Sequence, residues 1–186
     1  MRQEINQQQT MRIRTTTSRD RGEIRDIHLC AFSEDEREIV SNLAINLLSE
    51  ETIPRTFSLI AEIGDTAVGH ISFSPVTLES DDLFQGYILA PLAVKPRYQK
   101  RRIGSGLIET GLQQLSKMKV GVLFVYGDPQ YYGKFGFSTD VAIRYTPPYE
   151  LQYPFGWQAI ALDGYCVSDS SGALSCVTSL CDPKLW

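Results

Sequence analysis

The sequence predicts a mixed α/β fold of the α+β kind, with a mostly antiparallel central sheet flanked by helices. Two observations in the 186-residue chain support this prediction. Alternating or β-branched apolar runs follow one another across short polar turns, as in a sheet built from hairpins. Other stretches repeat apolar residues at spacings of three to five, as on one face of a helix.

Residues 1–10 contain four glutamines and no apolar periodicity. We expect them to be a disordered N-terminal extension, and residues 11–186 to form a single domain with one core. Residues 163–186 are Ser-rich with weak β character, and the sequence leaves the structure of this C-terminal extension open. No internal repeat or linker composition divides the chain.

A first strand over residues 11–16 and two helices are predicted next. Asp20 with Glu23, and Ser33 with Glu36, have the spacing of residues that cap helix N-termini. The inward positions are Ile24, Ile27, Ala31 and Phe32 in the first helix, and Ile39, Val40, Leu43, Leu47 and Leu48 in the second. His28 flanks the first apolar stripe and is interpreted as a partly buried structural residue.

Three strands form the predicted meander, over residues 57–63, 67–78 and 86–94. Gly64 and Asp65 join the first two as a hairpin turn, and residues 79–85 are expected to be a polar connector. His70 is mid-strand, where core and cleft wall are equally consistent with its apolar neighbours. Pro91 cannot donate a ladder hydrogen bond and predicts a bulge or splay.

The C-terminal half is predicted to contain further strands, a helical turn and one aromatic loop. The strands are 120–126, 141–145 and 156–162, and the turn is 129–135. The loop 149–155 carries Tyr149, Tyr153 and Phe155 among prolines. It either packs over the sheet or forms an aromatic rim of a substrate cleft.

The stretch between Leu89 and Gly106 organises the rest of the chain. A buried strand ends at Val94, a cationic turn follows, and helical spacing begins at Ile103. The first turn of that helix offers unpaired N–H groups to an anion. Gly104 and Gly106 remove side chains from that backbone, and the turn contributes the cations Lys95, Arg97, Lys100, Arg101 and Arg102. In a chain of net charge −4, this pattern favours a diphosphate ligand over a general polyanion.

This stretch resembles the acyl-CoA-binding segment of the GNAT superfamily of N-acetyltransferases. The family pattern is Gln/Arg-x-x-Gly-x-Gly/Ala after a strand that ends in a Leu-x-Val-like run and an x-Pro. The residues 92–94, Pro96 and 99–104 match it, except that Arg102 stands where the family usually has its first Gly. A second register over 101–106 also fits, but it lies two residues late relative to the strand, so the first is preferred.

A second motif supports the same family. Residues 127–137 read Gly-Asp-Pro-Gln-Tyr-Tyr-Gly-Lys-Phe-Gly-Phe and resemble the family's later Tyr-x-x-x-Gly-Phe segment. They are closer still to the Gly-Asp-Pro-x-Tyr-Tyr-Gly-x-Phe-Gly-Phe form of a bacterial subgroup of predicted N-acetyltransferases. With both motifs in this order, the chain is identified as a member of the superfamily over roughly residues 11–162.

The resemblance implies a sheet that splays between two central strands, helices on both faces, and acetyl-CoA as co-substrate. The backbone of Leu92 and Val94 is expected to hold the pantetheine arm, with Leu92 polarising the thioester carbonyl. Tyr132 aligns with the general acid and is preferred over its neighbour Tyr131. The expected cofactor-binding residues are Leu92, Ala93, Val94, Gln99, Lys100, Arg101, Arg102, Ile103, Gly104, Ser105 and Gly106.

The acceptor side is less defined by the sequence. In the family the first two helices lie beside the acceptor cleft, so residues 32–39 either contact substrate or simply pack. The general base stays open among Glu34, Asp35, Glu36, His70, Glu79 and Asp82, and many relatives are thought to use bound water.

The function expected from the resemblance is transfer of an acetyl group from acetyl-CoA to a primary amine, of a small molecule or a peptide, by direct attack. The alternative is a non-catalytic acyl-CoA-binding or regulatory module, which Arg102 in place of Gly favours. A nucleotide-phosphate enzyme does not fit, because no Gly-Lys-Ser/Thr follows the turn.

Composition limits the partners. A pI of about 5.2 argues against nucleic acid or an anionic membrane as the main partner, and suits a cationic amine. No run approaches the roughly 20 apolar residues needed to cross a bilayer, and residues 1–10 lack a signal-peptide core, so we expect a cytoplasmic protein. We expect it to be a monomer or a homodimer. The four cysteines and two histidines lack metal-site spacing, so no metal is expected, and reduced thiols are preferred.

Overall fold

A computed structural model describes residues 10–162 and 171–186 of the chain. The expected disorder of residues 1–10 concerns a segment that lies outside the described residues, apart from Thr10. The first part of the C-terminal extension, residues 163–170, also lies outside them.

The described chain forms an open, mostly antiparallel sheet with helices, which confirms the predicted fold class. Its strands are β1 (Met11–Thr15), β2 (Phe57–Ile63), β3 (Thr66–Leu78), β4 (Asp81–Val94), β5 (Val122–Tyr126), β6 (Tyr145–Thr146), β7 (Trp157–Ala161) and β8 (Gly172–Cys176). Its α-helices are α1 (Arg21–Ala31), α2 (Arg37–Ser49), α3 (Ile103–Lys117), α4 (Pro129–Tyr132) and α5 (Thr139–Ala142). The strand order is β1-β2-β3-β4-β5-β7, with β8 paired to β3 and β6. Of these pairs, β4–β5 and β6–β8 are parallel.

Helices cover both faces of the sheet, as the resemblance implied. Ile71 and Phe73 of β3 share one apolar cluster with Leu107 of α3. The intervening side chains point to the opposite face, because side chains alternate along a strand. There His70 meets His28 of α1, beside a second cluster formed by residues of α1, α2, β2 and β4.

The hairpin between β3 and β4 is longer than predicted. Residues 79–85 were expected to be a connector, but the pairing of the two strands extends to Leu78 opposite Asp81. Only Glu79 and Ser80 form the turn. The polar residues Asp81, Asp82 and Gln85 obscured the strand pattern, in which Phe84 is buried between exposed neighbours.

The strand predicted over residues 141–145 is wrong for most of its length. The short helix α5 begins there because the Ser138 hydroxyl accepts a hydrogen bond from Val141 N (3.4 Å), the interaction of an N-cap. Only Tyr145 and Thr146 are paired as a strand, with β8. The β-branched residues Val141 and Ile143 had favoured a strand in the prediction, so the N-cap at Ser138 was not recognised.

Neither predicted helix cap is made as expected. The Asp20 carboxylate accepts from Thr17 N (2.6 Å) and binds Arg14, so it does not cap α1. The Ser33 hydroxyl donates to a carboxylate oxygen of Glu36 (3.0 Å), and α2 begins only at Arg37.

The bulge predicted at Pro91 is confirmed. Ile71 pairs with Leu92 and Phe73 with Leu89, so one residue of β3 faces two residues of β4. On the other edge of β4, pairing with β5 stops at Leu89 opposite Val125, while β4 continues for five residues. The two central strands therefore separate beyond Leu89, which is the predicted splay.

One finding bears on the membrane expectation. Within residues 10–162 and 171–186, every helix is too short or too polar to cross a bilayer.

Candidate active site

The splay exposes one edge of the β4 backbone. Lys95 N donates to Val68 O of β3 (2.9 Å). Because backbone groups of successive strand residues point to opposite edges, the N–H and C=O of Leu92 and Val94 point away from β3, into the splay. Gln99 Nε2 donates to Val94 O on that side (3.0 Å). The edge of Leu92 and Val94 thus lies where β5 no longer pairs, and it is open to an extended amide ligand.

The N-terminus of α3 lies at the end of the same strand. Arg102 is its N-cap residue and adopts the left-handed conformation, with φ +61°. Glycine takes this conformation without steric cost, which is the physical reason for a glycine at this position of the motif. The chain therefore makes the turn with Arg102 in place of glycine. The N–H groups of Ile103, Gly104 and Ser105 belong to the first turn and have no partner within the helix.

Gly106 serves the packing of α3. Its N–H donates to Arg102 O (2.9 Å), so it is already used inside the helix. A Cβ added to Gly106 would lie 3.0 Å from Met11 Cε and 3.2 Å from Ile13 Cδ1 of β1. The absence of a side chain at Gly106 thus lets β1 lie against the helix.

The cations of the turn do not all face the helix N-terminus. Lys95 forms an ion pair with Asp26 of α1. The Arg101 guanidinium lies over the Tyr98 ring, 5.7 Å from its centroid. Of the five, Lys100 and Arg102 line the cleft in front of α3. Arg102 Nη2 also lies 3.7 Å from Glu109 Oε1 of α3. Lys100 and Arg102 therefore supply the positive charge of the cleft, and that of Arg102 is shared with Glu109.

A cleft of about 230 Å³ lies in front of α3. Its walls are Val94, Tyr98, Gln99, Lys100, Arg102, Ile103, Gly104, Ser105 and Tyr131. A Cβ on Gly104 would lie 2.5 Å from Tyr131 Oη, so only glycine leaves room for that hydroxyl. These features fit a diphosphate-bearing ligand: free N–H groups, two cations and a position where a side chain would fill the space.

Tyr131 and Tyr132 lie on different walls of the splay. Their rings meet edge to face, with centroids 5.1 Å apart. Tyr131 lines the cleft, whereas the Tyr132 ring lies against Gly127, directly after β5, and against Phe137. Burial raises the pKa of both phenols, that of Tyr132 well above its usual range; the nearby Tyr131 and Asp128 add to the Tyr132 shift. Both side chains are therefore protonated at neutral pH.

A second, larger cavity of about 490 Å³ opens at the C-terminal end of β5. Its lining residues are Glu36, Tyr126, Gly127, Asp128, Pro129, Gln152, Tyr153, Phe155, Gly156, Lys184, Leu185 and Trp186. A small cavity under β4 at Ile88, Leu89 and Ala90 shares Tyr126, Leu185 and Trp186 with it. The larger cavity therefore leads toward the point where the central strands separate.

The C-terminal segment of residues 178–186 forms one wall of this larger cavity. The Glu50 carboxylate accepts from Thr178 N (2.8 Å) and Ser179 N (3.0 Å) and fixes the segment to the end of α2. Trp186 Nε1 donates to Leu180 O (3.0 Å). Tyr126, Lys184 and Trp186 were not predicted as site residues, because no local pattern brings these parts of the chain together.

The candidates for a general base are distributed across the fold. His70 is fully buried against His28 and lines neither the cleft nor the larger cavity, so core is the correct alternative for it. Glu36 lines the larger cavity. Glu36 belongs to the region 32–39 that was expected near the acceptor, so this region reaches the cavity wall through Glu36.

Comparison with known proteins identifies the class that this fold and site define. The Acetyltransferase (GNAT) domain model matches residues 12–139, about two thirds of the chain. The chain therefore belongs to the GNAT family of acetyltransferases, and the resemblance found in the two motifs is confirmed.

Particular relatives agree with this assignment. The chain is 35% identical to the uncharacterized N-acetyltransferase YjhQ of Escherichia coli K12 over 138 residues, which cover 73% of this chain and 75% of YjhQ. A GNAT family acetyltransferase from Brucella melitensis, solved in complex with acetyl-CoA, is 28% identical with a TM-score of 0.68, over 92% of this chain and 98% of that one. E. coli YhbS, solved in complex with CoA, has the same fold, with a TM-score of 0.74, 24% identity and 88% of each chain covered.

Proposed function

We propose that the protein transfers an acetyl group from acetyl-CoA to a primary amine by direct attack of the amine nitrogen. The observation that carries the proposal is the open backbone edge of Leu92 and Val94 beside the free N-terminus of α3. Solved relatives in complex with CoA and acetyl-CoA support the donor. When bound, acetyl-CoA supplies an acetyl group activated as a thioester, which passes to the amine with release of the thiol.

The donor is held by two kinds of contact. The N–H groups of Ile103, Gly104 and Ser105, with Lys100 and Arg102, bind the diphosphate at the positive end of α3. The edge of Leu92 and Val94 would bind the pantetheine amides as an added strand is bound, and the Leu92 N–H would donate to the thioester oxygen. Gln99 Nε2 keeps its hydrogen bond to Val94 O.

Tyr132 is proposed as the proton donor to the leaving thiolate. Its ring lies on the β5 wall of the splay, and its raised pKa keeps the phenol protonated at neutral pH. A proton is therefore present on Tyr132 Oη when a thiolate forms beside it. The same burial weakens the phenol as an acid and also disfavours an unprotonated thiolate at that point. Tyr131 is the competing candidate, because its hydroxyl lies beside Ser105 in the cleft. In the acetyl transfer, the amine loses one proton and the thiol gains one.

The alternative of a non-catalytic module depended on Arg102 replacing glycine. Arg102 adopts the conformation that the glycine would take, so the replacement does not remove the turn. No feature of the described residues favours the module over the enzyme.

Thiol release tests the proposal. The protein is incubated with acetyl-CoA and a library of primary amines, and free thiol is followed by a chromogenic disulfide reagent. We expect amine-dependent thiol release and a corresponding mass increase of the amine by an acetyl group. CoA binding by calorimetry without turnover on any amine would support the module instead.

Variants assign the roles. Tyr132→Phe is expected to lower kcat at least tenfold with little change in CoA affinity, whereas Tyr131→Phe should change kcat less. An unchanged kcat in Tyr132→Phe removes Tyr132 from the acid role.

Gly104→Glu adds bulk and negative charge in the cleft and should weaken CoA binding. Gly133→Glu is the matched control, because nothing lies within 4 Å of its Cβ position.

A further inference from the structure

The larger cavity beside β5 combines aromatic and charged side chains, and it includes the loop for which the sequence left open either packing or an aromatic rim of a substrate cleft. Four aromatic side chains line it: Tyr126, Tyr153, Phe155 and Trp186. Tyr153 and Phe155 are 53% and 63% exposed although they are large and apolar in character. Exposed aromatic surface gathered in one cavity is typical of a ligand site, because a ligand removes it from water.

The aromatic walls are held in place by the surrounding backbone. Tyr126 Oη accepts a hydrogen bond from Tyr153 N (2.9 Å), which fixes the aromatic loop to the end of β5. A Cβ on Gly156 would lie 2.9 Å from Tyr126 Cε2, so only glycine lets the loop approach this closely. The rings of Tyr153 and Phe155 stand 5.8 Å apart. The loop therefore presents a preformed wall.

Trp186 forms the wall between the larger cavity and the strands. Its ring lies 6.1 Å from those of Trp157 and Tyr149, and it lines both the larger cavity and the small one under β4. A ligand against Trp186 therefore contacts a side chain that the larger cavity shares with the small cavity at Ile88, Leu89 and Ala90 of β4.

Charged groups occupy the same cavity. Glu36 and Asp128 contribute two carboxylates and Lys184 one ammonium group, so the lining is negative by one charge. The carboxylate of Asp128 already accepts from Gln130 N (2.9 Å). Glu36 accepts from Ser33 and is otherwise exposed, which leaves it the better placed to attract a cation. Aromatic faces also attract an ammonium group.

We infer that this cavity is the acceptor site and that it binds a small primary amine with an aromatic body. The ring of the amine packs against Trp186 and Phe155, and the ammonium group is attracted by Glu36 and the aromatic faces before it loses a proton to water and becomes the neutral nucleophile. A volume of about 490 Å³ suits a single small molecule rather than a protein chain. This inference rests on the proposed acetyl transfer, since it names the acceptor class for the same reaction.

Binding is measured separately from turnover. The probe is 2-phenylethylamine, titrated by calorimetry into the protein saturated with CoA. The comparison ligands are 2-cyclohexylethylamine, which has the shape without the aromatic ring, 2-phenylethanol, which lacks the ammonium group, and spermidine, a flexible polycation. We expect 2-phenylethylamine to bind at least fivefold more tightly than each of the three.

Three variants test the walls. Trp186→Leu and Phe155→Leu are expected to reduce the preference for 2-phenylethylamine over 2-cyclohexylethylamine by about threefold to tenfold. Phe155 is exposed, so its variant stays informative if Trp186→Leu does not fold. Glu36→Gln should weaken 2-phenylethylamine binding but not 2-phenylethanol binding. Glu51→Gln is the control, since it makes the same change at an exposed residue that lines neither cavity.

The outcomes distinguish the inferred acceptor class from the proposed acetyl transfer. Equal or tighter binding of spermidine or 2-cyclohexylethylamine overturns the inferred acceptor class, and so does an unchanged preference in both aromatic variants. Aromatic amine binding without thiol release on any amine overturns the proposed function and leaves the cavity assignment in place. Thiol release on a peptide amine but not on 2-phenylethylamine supports the reaction and rejects this acceptor class.

Discussion

His28 Nε2 and His70 Nδ1 lie 2.9 Å apart in the protein core, between α1 and β3. Both residues are fully buried, and within the described residues His28 Nδ1 and His70 Nε2 have no hydrogen-bond partner. One imidazole must donate and the other accept, so the pair is stable when both are neutral. Burial lowers the pKa of His28 to about 4. The pKa of His70 lies well below its usual range, mainly because of burial and then because of the neighbouring His28.

This pair predicts acid sensitivity. An unfolded histidine binds a proton near its ordinary pKa of about 6.5, whereas the folded pair does not. The contribution of the neutral pair to the free energy of unfolding is therefore fully present above pH 6.5. It falls as the pH drops toward 4, by up to about 1.4 kcal/mol per pH unit for each histidine. Urea unfolding at several pH values measures the slope, and His28→Gln should reduce it by about half. An identical slope in this variant would contradict the assignment.

A second, more acidic transition is predicted at Asp20. The Arg14 guanidinium binds both Asp20 (2.7 Å) and Glu62 (2.6 Å). The hydrogen bond from Arg14 is the largest cause that lowers the pKa of Asp20, to about 2. The stabilisation is present above the unfolded pKa of about 3.9 and is lost as the pH falls through 2. Asp20→Asn should destabilise the protein by roughly 1–3 kcal/mol at pH 7 and by much less at pH 2, as measured by urea midpoints.

Gly111 tests how closely α3 lies on the sheet. A Cβ at this position would overlap the buried ring of Phe73. Gly111→Ala is therefore expected to lose roughly 1–3 kcal/mol of stability by overpacking, in spite of the better helix propensity of alanine. Gly22→Ala in α1 is the matched control, because nothing lies within 4 Å of its Cβ position and it should be neutral or slightly stabilising. Equal effects of the two variants on the melting temperature would argue against this close packing.

The left-handed backbone at Arg102 predicts a trade between stability and donor binding. Arg102→Gly should gain up to about 1 kcal/mol, since glycine adopts a positive φ without steric cost. The same variant should weaken CoA binding severalfold, because the guanidinium leaves the cleft in front of α3. Lys119→Gly provides the control. Lys119 has φ +62° at the other end of α3, so this variant should change stability similarly without any effect on CoA affinity.

The donor side was predictable because short, local patterns define it. Pro91 lacks an N–H and so predicted the bulge, and the glycine-containing cationic turn predicted a helix N-terminus for an anion. The roles of individual cations were not local, since Lys95 binds Asp26 of α1 and Arg101 lies over Tyr98. The sequence does not state which helix packs beside a turn.

The acceptor side was largely beyond sequence reasoning. The aromatic loop was predicted as one of two alternatives, but Tyr126 and Trp186 are 60 positions apart. They line the same cavity because Glu50 holds the C-terminal segment beside α2 and Trp186 packs against Tyr149 and Trp157. Local propensity also failed where side-chain hydrogen bonds decided the structure, as at Ser138. A local side-chain cap of this kind competes with the strand preference of the residues around it.

The cavity that gathers Trp186 and the aromatic loop is assembled largely from residues outside the family match at 12–139, whereas the turn at Gly104 and the edge at Leu92 lie inside it. On the proposed assignment, substitutions at residues 152–155 and 184–186 alter which amine is modified, while the residues that bind the acyl donor stay unchanged.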